Sequence, residues 1–297
     1  MGTVKVNGTD QAMGGGLSGA SKISREMALW VPDGRPADAL INPNKELLDA
    51  RGRDMARNDG FIGSANDLTK DSIVGGQYVL NARPDTTMLG KGFDDTWAEE
   101  FQQVAESHFN VAGDSEHKWL DAMRVKSFTD IIRLAVGSYV LSGEVLAVAE
   151  WIRQAGRPFA TAVQMVNPDR LTNPNDSDDT DNIRRGIVRD GFGAPQAYWI
   201  RNKHKHDPYM TDQSMRWKRV DAYLPWGRPQ VLHIYEQNDP DQSRGVAAMV
   251  AVLKEMRMTK KYRDVVLGNA VVNSMYAAAV ESELPSDVVF GQLGANA

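Results

Sequence analysis

The sequence predicts an α+β protein, and three observations carry that assignment. Apolar residues recur at helical spacing between residues 45 and 141, two-residue alternation interrupted by Gly and Pro turns fills 144–235, and helical spacing returns after Gly245. Asn42-Pro43 has the pattern of a helix start, with Lys45–Asn58 following and Gly60 placed to close it. Phe61–Val74 predicts a second helix, ended by Gly75-Gly76, and Gln77–Ala82 a short strand. Phe93, Trp97, Phe101 and Val104 predict an amphipathic helix over Phe93–Phe109. Another is expected over Ser115–Leu141, with Trp119, Met123, Ile131, Ile132, Leu134, Ala135 and Tyr139 on a broad apolar face; stripes of this kind ordinarily face a core.

The middle reads as sheet. Glu144–Trp151 and Phe159–Val166 predict strands around the turn Gly156-Arg157-Pro158. Ile183–Arg189 and Gln196–Arg201 flank Gly191-Phe192-Gly193 as a hairpin, and Val220–Leu224 and Val231–Tyr235 flank Pro225-Trp226-Gly227 as another. A final helix from Gly245 to Val280 would be roughly 50 Å long. It carries Val246, Met249, Leu253 and Met256 on one side and has no obvious partner within the chain.

Composition narrows the function. The chain has 297 residues, enough for about two domains, and 39 acids against 34 bases leave a net charge of −5. A free-standing nucleic-acid binder is usually basic, so the balance argues against wrapping DNA tightly, though not against DNA passing loosely through a channel. The absence of cysteine excludes disulfides, thiolate metal sites and cysteine nucleophiles, and is compatible with a reducing cytoplasm. No apolar run reaches the roughly 20 residues of a membrane span. Residues 1–24, rich in Gly and Ser, read as a flexible arm without the apolar centre of a signal peptide.

The motifs that would carry chemistry fail one by one. Gly14-Gly15-Gly16 and Gly90-Lys91-Gly92 lack the spacing of a phosphate loop. Asp176, Asp178, Asp179 and Asp181 resemble a calcium loop, but Asp181 and Ile187 occupy the positions that need Gly and Glu, so a solvated loop is expected. His204 and His206 could face one side of a strand, yet Lys203 and Lys205 would repel a cation and no third ligand is evident, so they too read as surface. No Ser stands on a Gly-flanked nucleophile elbow, and Glu144 after Gly143 has no acid partner, which makes it structural. The expectation is therefore no catalytic, cofactor-binding or metal residues. The strongest charged feature is the basic cluster Lys254, Arg257, Lys260, Lys261 and Arg263, with Lys254, Arg257 and Lys261 roughly on one helical face. Such a face can meet phosphate, pair with acids of a neighbouring subunit, or stay solvated. Glu255 and Asp264 close by favour pairing.

Several segments, taken in order, are similar to the lambda-like portal proteins of tailed phages. Arg51-Gly-Arg-Asp-Met-Ala-Arg-Asn-Asp-Gly60 with Ser72-Ile-Val-Gly-Gly76 resembles that family's Arg-rich helix and its end. Ser142-Gly-Glu-Val-Leu-Ala147 resembles its Gly-Glu strand, and Val166-Asn-Pro-Asp-Arg-Leu171 its Pro-Asp-Arg-Leu turn. Gly186–Trp199 resembles its Gly-Arg-Pro hairpin, with Ala194 where Arg is usual. Val231-Leu-His-Ile-Tyr235 and Asp241-Gln-Ser-Arg-Gly-Val246 resemble its His strand and the Arg-Gly-Val start of its long helix.

The resemblance implies a portal-like α+β fold in which a wing of helices and antiparallel sheet is followed by a long stem helix. On it, residues 1–29 are an arm, 30–243 the wing, 244–280 the stem helix and 281–297 the start of a clip or a tail. It also implies a non-enzymatic homo-oligomeric ring, usually of twelve subunits, at one capsid vertex. Double-stranded DNA would pass through it during packaging and ejection. The implied partners are the major capsid and scaffolding proteins, the terminase large subunit and the head–tail connector proteins, with no membrane and no cofactor. The implied locations are the virion and, during assembly, the host cytoplasm. Family members continue into a second stem helix and a crown, so this chain is expected to represent only their first part. Two other classes fit the same composition: a cytoplasmic α+β enzyme with an unrecognised small-molecule site, and a scaffold-like interaction protein without a channel.

Overall fold

The computed structural model describes residues 18–20, 24, 25, 27, 29–209 and 211–275. The glycine-rich start of the arm, the last residues of the expected helix up to Val280 and the tail lie outside them. The expected order of helices, antiparallel sheet and a long helix is present.

The first helical layer comprises α1 (Ala37–Ile41), α2 (Lys45–Asn58) and α3 (Gly60–Val74). Asn42 follows α1 instead of starting α2, because its backbone N–H is taken by the Asp38 carbonyl. Gly60 does not close α2; it is the first residue of α3. The break falls at Asp59, whose extended backbone ends α2 and whose carboxylate accepts the Phe61 N–H to cap α3. Residues 77–82 form no strand; their backbone is held by side chains, Tyr78 N–H donating to Thr129 Oγ1 and Ala82 N–H to Glu106.

After the single turn α4 (Thr86–Leu89), α5 (Asp95–Gly113) begins at an Asp94 cap. The helix expected over Ser115–Leu141 is split. Asp121 accepts the N–H groups of Met123, Val125 and Lys126 and winds this stretch into turns. The capping box of Ser127 and Asp130 then starts α6 (Phe128–Ser142).

Among the described residues, seven strands make two antiparallel sheets. The first has the order β2 (Thr161–Val166), β1 (Glu144–Trp151), β7 (Val231–Tyr235). The second runs β3 (Ile183–Arg184), β4 (Ile187–Arg189), β5 (Pro195–Arg201), β6 (Trp217–Asp221). The β4–β5 hairpin matches expectation. The expected hairpin around Pro225-Trp226-Gly227 is short: an antiparallel bridge joins Tyr223 to Pro229, and Leu224 N–H donates to Arg228 O and Gln230 N–H to Ala222 O. The strands beyond diverge, β6 pairing with β5 and β7 with β1, so this turn carries the chain from one sheet to the other. Leu146, Val148, Leu171, Tyr198, Ile200 and Val231 fill the core between the sheets.

The last helix starts later than expected. Gly245 and Val246 lead into a 3-10 turn, Ala248–Val252, and α7 covers Leu253–Met275. Val246, Met249, Leu253 and Met256 are each half-buried, and Leu253 shares a cleft with Leu48 and Met55 of α2. The expected stripe therefore has an intrachain partner. Beyond it the helix changes character: Tyr262, Val265, Leu267, Val271 and Met275 point in different directions around α7 and all are exposed.

Candidate functional site

The most organised chemistry in the molecule is a buried ionic junction where α7 leaves the body. Gly143 ends α6 in the left-handed conformation, φ 74°, and turns the chain into β1. Any Cβ there would lie inside the backbone of Val246 and Ala247, so only glycine permits this approach. The next residue, Glu144, is fully buried. Its carboxylate takes a forked pair from Arg244, Nη2 to Oε1 at 2.5 Å and Nε to Oε2 at 2.9 Å. It also takes His233 Nε2 at 3.0 Å and the Gly245 N–H at 3.2 Å, with Lys45 Nζ at 3.4 Å.

Arg244 is equally enclosed, and its remaining donors reach three carbonyls. Nη1 donates to Leu171 O at 2.9 Å and Arg185 O at 3.2 Å, and Nη2 to Pro168 O at 3.0 Å. Lys45 binds both oxygens of Asp49 at 2.7 Å and the Ser142 carbonyl at 2.6 Å. Asp38 accepts the N–H and hydroxyl of Ser243 at 2.8 and 2.9 Å, and Gln242 donates to Arg244 O at 2.7 Å. One junction thus holds α1, α2, the α6–β1 turn, the Pro168–Leu171 turn, the Arg185–Gly186 corner, β7 and the root of α7.

Ionisation follows from this geometry. Burial would raise the Glu144 pKa, but Arg244, Lys45 and His233 outweigh it and hold the carboxyl well below the usual carboxylate range. Burial pushes Asp49 up to about 6; Lys45 opposes the rise and the Glu144 charge adds to it. Burial also lowers the His233 pKa, which Glu144 only partly restores, so the imidazole is neutral at pH 7. A fully buried carboxylate whose oxygens are all occupied leaves no room for a substrate. The junction fixes geometry.

The segments whose order resembles a known family converge here. Gly143-Glu144, Pro168 to Leu171, Gly186, His233 and Arg244-Gly245 are neighbours in space. Sequence reasoning identified Glu144 as structural but missed Lys45, Asp49, His233 and Arg244 as its surroundings; the Gly-Glu and Arg-Gly pairs were the available signal.

The basic cluster divides between two sides of α7. Lys260 donates to the Asn58 carbonyl, and Arg263 pairs with Asp59 and lies over the Phe61 ring at 4.5 Å. These two residues clamp α7 to the α2–α3 corner. Lys254, Arg257 and Lys261 are exposed, the first two beside Arg51 and Asp54 of α2.

His204 Nε2 meets Asp169 at 3.0 Å and His206 Nε2 meets Glu46 at 3.2 Å, on a polar cleft. Among the described residues no group of three or more His, Asp or Glu is arranged to hold a metal ion. The acidic loop is exposed from Asn175 to Asn182, and one of its carboxylates is tied down. Asp179 accepts from Asn42 at 2.7 Å, Asn173 at 2.9 Å and the Arg185 N–H at 2.6 Å.

Comparison with known proteins gives one consistent result. Residues 23–297 match the family model described as phage portal protein, lambda family. The chain is 34% identical over 271 residues to the portal protein of Escherichia phage N15, and 31% identical over 279 residues to portal protein B of Escherichia phage lambda. These alignments cover 91% and 94% of this chain but 49% and 51% of the relatives, so the chain spans about half their length. A probable portal protein of a Halomonas phage is 22% identical over 260 residues.

Proposed function

Since the chain belongs to the lambda family of phage portal proteins, we propose that it is a subunit of a closed homo-oligomeric ring at one capsid vertex, through which double-stranded DNA is packaged and ejected. In this reading residues 30–243 are the wing, anchored through the ionic junction, and 244–280 the first stem helix. The observation that carries it is the helix itself. It is rooted next to Arg244, yet from Tyr262 onward it exposes apolar side chains in several directions, among them Tyr262, Val265, Leu267, Val271 and Met275. A helix of that kind is stable only when surrounded, and neighbouring copies around a central axis supply the surroundings.

The ring has twelve subunits in this proposal and no catalysis of its own. The terminase large subunit docks on it during packaging and head–tail connector proteins afterwards, while capsid and scaffolding proteins contact its outside. Lys254, Arg257 and Lys261 face the adjacent subunit or the channel. Electron microscopy and native mass spectrometry of the full chain test the reading. Rings with a central channel are expected; a monomer at micromolar concentration would overturn it. Lys254→Ala with Lys261→Ala separates the two roles of the basic face. Weakened rings indicate bridging, and intact rings with altered genome retention indicate a channel face.

A further inference from the structure

Two apolar features of the described chain lack a cover, and they fit one another. The first is the segment leading into α1. Leu29, Trp30 and Val31 are consecutive, outside any helix or strand, and 94%, 66% and 86% exposed; Trp30 N–H donates to Met27 O, a single turn that opens when the segment extends. The second is the outer face of β7. This strand is the edge of its sheet, so among the described residues one side of its backbone pairs with no strand. His233 and Tyr235 turn inward to the junction, while Leu232 and Ile234 stand outward, 43% and 58% exposed. Trp151, 57% exposed, continues the strip beside Arg228, whose guanidinium carbon lies 6.0 Å from the Trp151 ring centre.

We infer that residues 29–31 of one copy add to β7 of the next as an antiparallel strand. The register follows from side-chain spacing. Leu29 and Val31, two residues apart, lie on one face of an extended chain, as do Ile234 and Leu232. Placing Leu29 opposite Ile234 and Val31 opposite Leu232 covers both pairs. The same register agrees with the charges. It carries Asp33 toward Arg228, whose Nε is buried without a hydrogen-bond partner. In the free chain Asp33 is held only by its near neighbour Arg35, at 2.6 Å. Pro32, which has no N–H, falls opposite Val231, whose own N–H already bonds to Ala222 O, so the added strand ends where both chains run out of donors.

Donor and acceptor are different surfaces of one chain. The contact is therefore head-to-tail, the type that closes into rings. The inference rests on the ring reading and adds to it a specific joint.

The test uses the absence of cysteine from the sequence. In the full chain, Val31→Cys and Leu232→Cys are made as separate variants, mixed, assembled and oxidised. Directly opposed residues of this pair type have Cα atoms about 4.5 Å apart, within disulfide range. Covalent dimers are expected in the mixture and not in either variant alone. They are also not expected when Phe192→Cys, at a remote and fully exposed hairpin tip, replaces Leu232→Cys. Light scattering measures assembly independently. Assembled particles without the cross-link overturn the strand exchange and leave the ring standing, whereas monomers without it overturn both. A bridge forming within single chains of the double variant shows the segment folding back on its own β7, and overturns the exchange as well.

Discussion

Arg244→Met is the most informative perturbation of the junction, because it removes one partner of a buried pair and leaves the other. The variant keeps the aliphatic stem but deletes every donor. Glu144 retains His233, the Gly245 N–H and Lys45 at 3.4 Å, too little to replace a forked guanidinium at 2.5 and 2.9 Å. Stranding a buried charge in this way costs about 3–5 kcal/mol. The carbonyls of Leu171, Arg185 and Pro168 also lose their donor, at about 1 kcal/mol or more each where water cannot enter. A total of about 6–8 kcal/mol is comparable with the whole stability of a marginal domain. Urea denaturation followed by tryptophan fluorescence measures it, with the exposed pair Arg219–Asp221 as reference. Arg219→Met is expected to change stability by about 0–1 kcal/mol. The double variant Glu144→Leu/Arg244→Met should be less destabilised than Arg244→Met alone, since it leaves no unpaired carboxylate. Equal losses for Arg244→Met and Arg219→Met, or additive losses in the double variant, would refute the argument.

Gly143→Ala should cost roughly 3 kcal/mol or more, because a left-handed backbone and a backbone clash combine there. Gly156→Ala, at φ 78° but with nothing within 4 Å, should cost about 1–2 kcal/mol, and thermal melts distinguish the two. His233 is held below its ordinary pKa, so the unfolded chain takes up its proton first and stability falls as pH drops below 6.5; His233→Gln should flatten that part of a pH–stability curve. Asp49 has the opposite sign. With a folded pKa of about 6 against 3.8 unfolded, it favours the folded state increasingly as pH falls from 6 to 4, and Asp49→Asn should lose that gain in the same titration. Asp179→Ala removes three hydrogen bonds from loop 173–185 and should cost about 1–3 kcal/mol, with faster proteolysis there.

Local pattern was enough for the elements that local pattern controls. The spans of α2 and β1 lie where the apolar pattern put them, although Asn42 and Gly60 do not bound α2, and so does the β4–β5 hairpin. Errors arose where one side chain overrode periodicity. The stripe from Trp119 to Tyr139 spans a real helix only from Phe128 on, because Asp121 gathers three backbone N–H groups before it. The pairing of β6 and β7 with different strands depends on the second sheet, which no turn signal encodes. The junction was legible only in fragments. Glu144 and Arg244 stand 100 residues apart, and Lys45 a further 99 before Glu144, so nothing in a window of sequence joins them. On α7 the charges were visible but their direction was not: Lys260 and Arg263 face Asn58 and Asp59, which depends on the α2–α3 corner being close.

The junction also sets the order in which this chain can finish folding. Glu144 and Lys45 emerge early in synthesis, and the helical layer and the β1–β2 pair can form around them. Until Arg244 arrives, however, that partial structure would enclose a carboxylate whose strongest partner is missing. Closing a loop of 100 residues costs only a little more entropy than closing a short one, but it cannot happen before its far end exists. The body is therefore expected to stay loosely packed and wet at its centre until β7 and the Arg244-Gly245 corner are in place. It then locks in one step that also fixes the direction in which α7 leaves. Coupling the last contact to the orientation of the projecting helix means that, in the ring proposed above, only a completed body would present that helix to neighbours, which would limit premature association of half-folded chains.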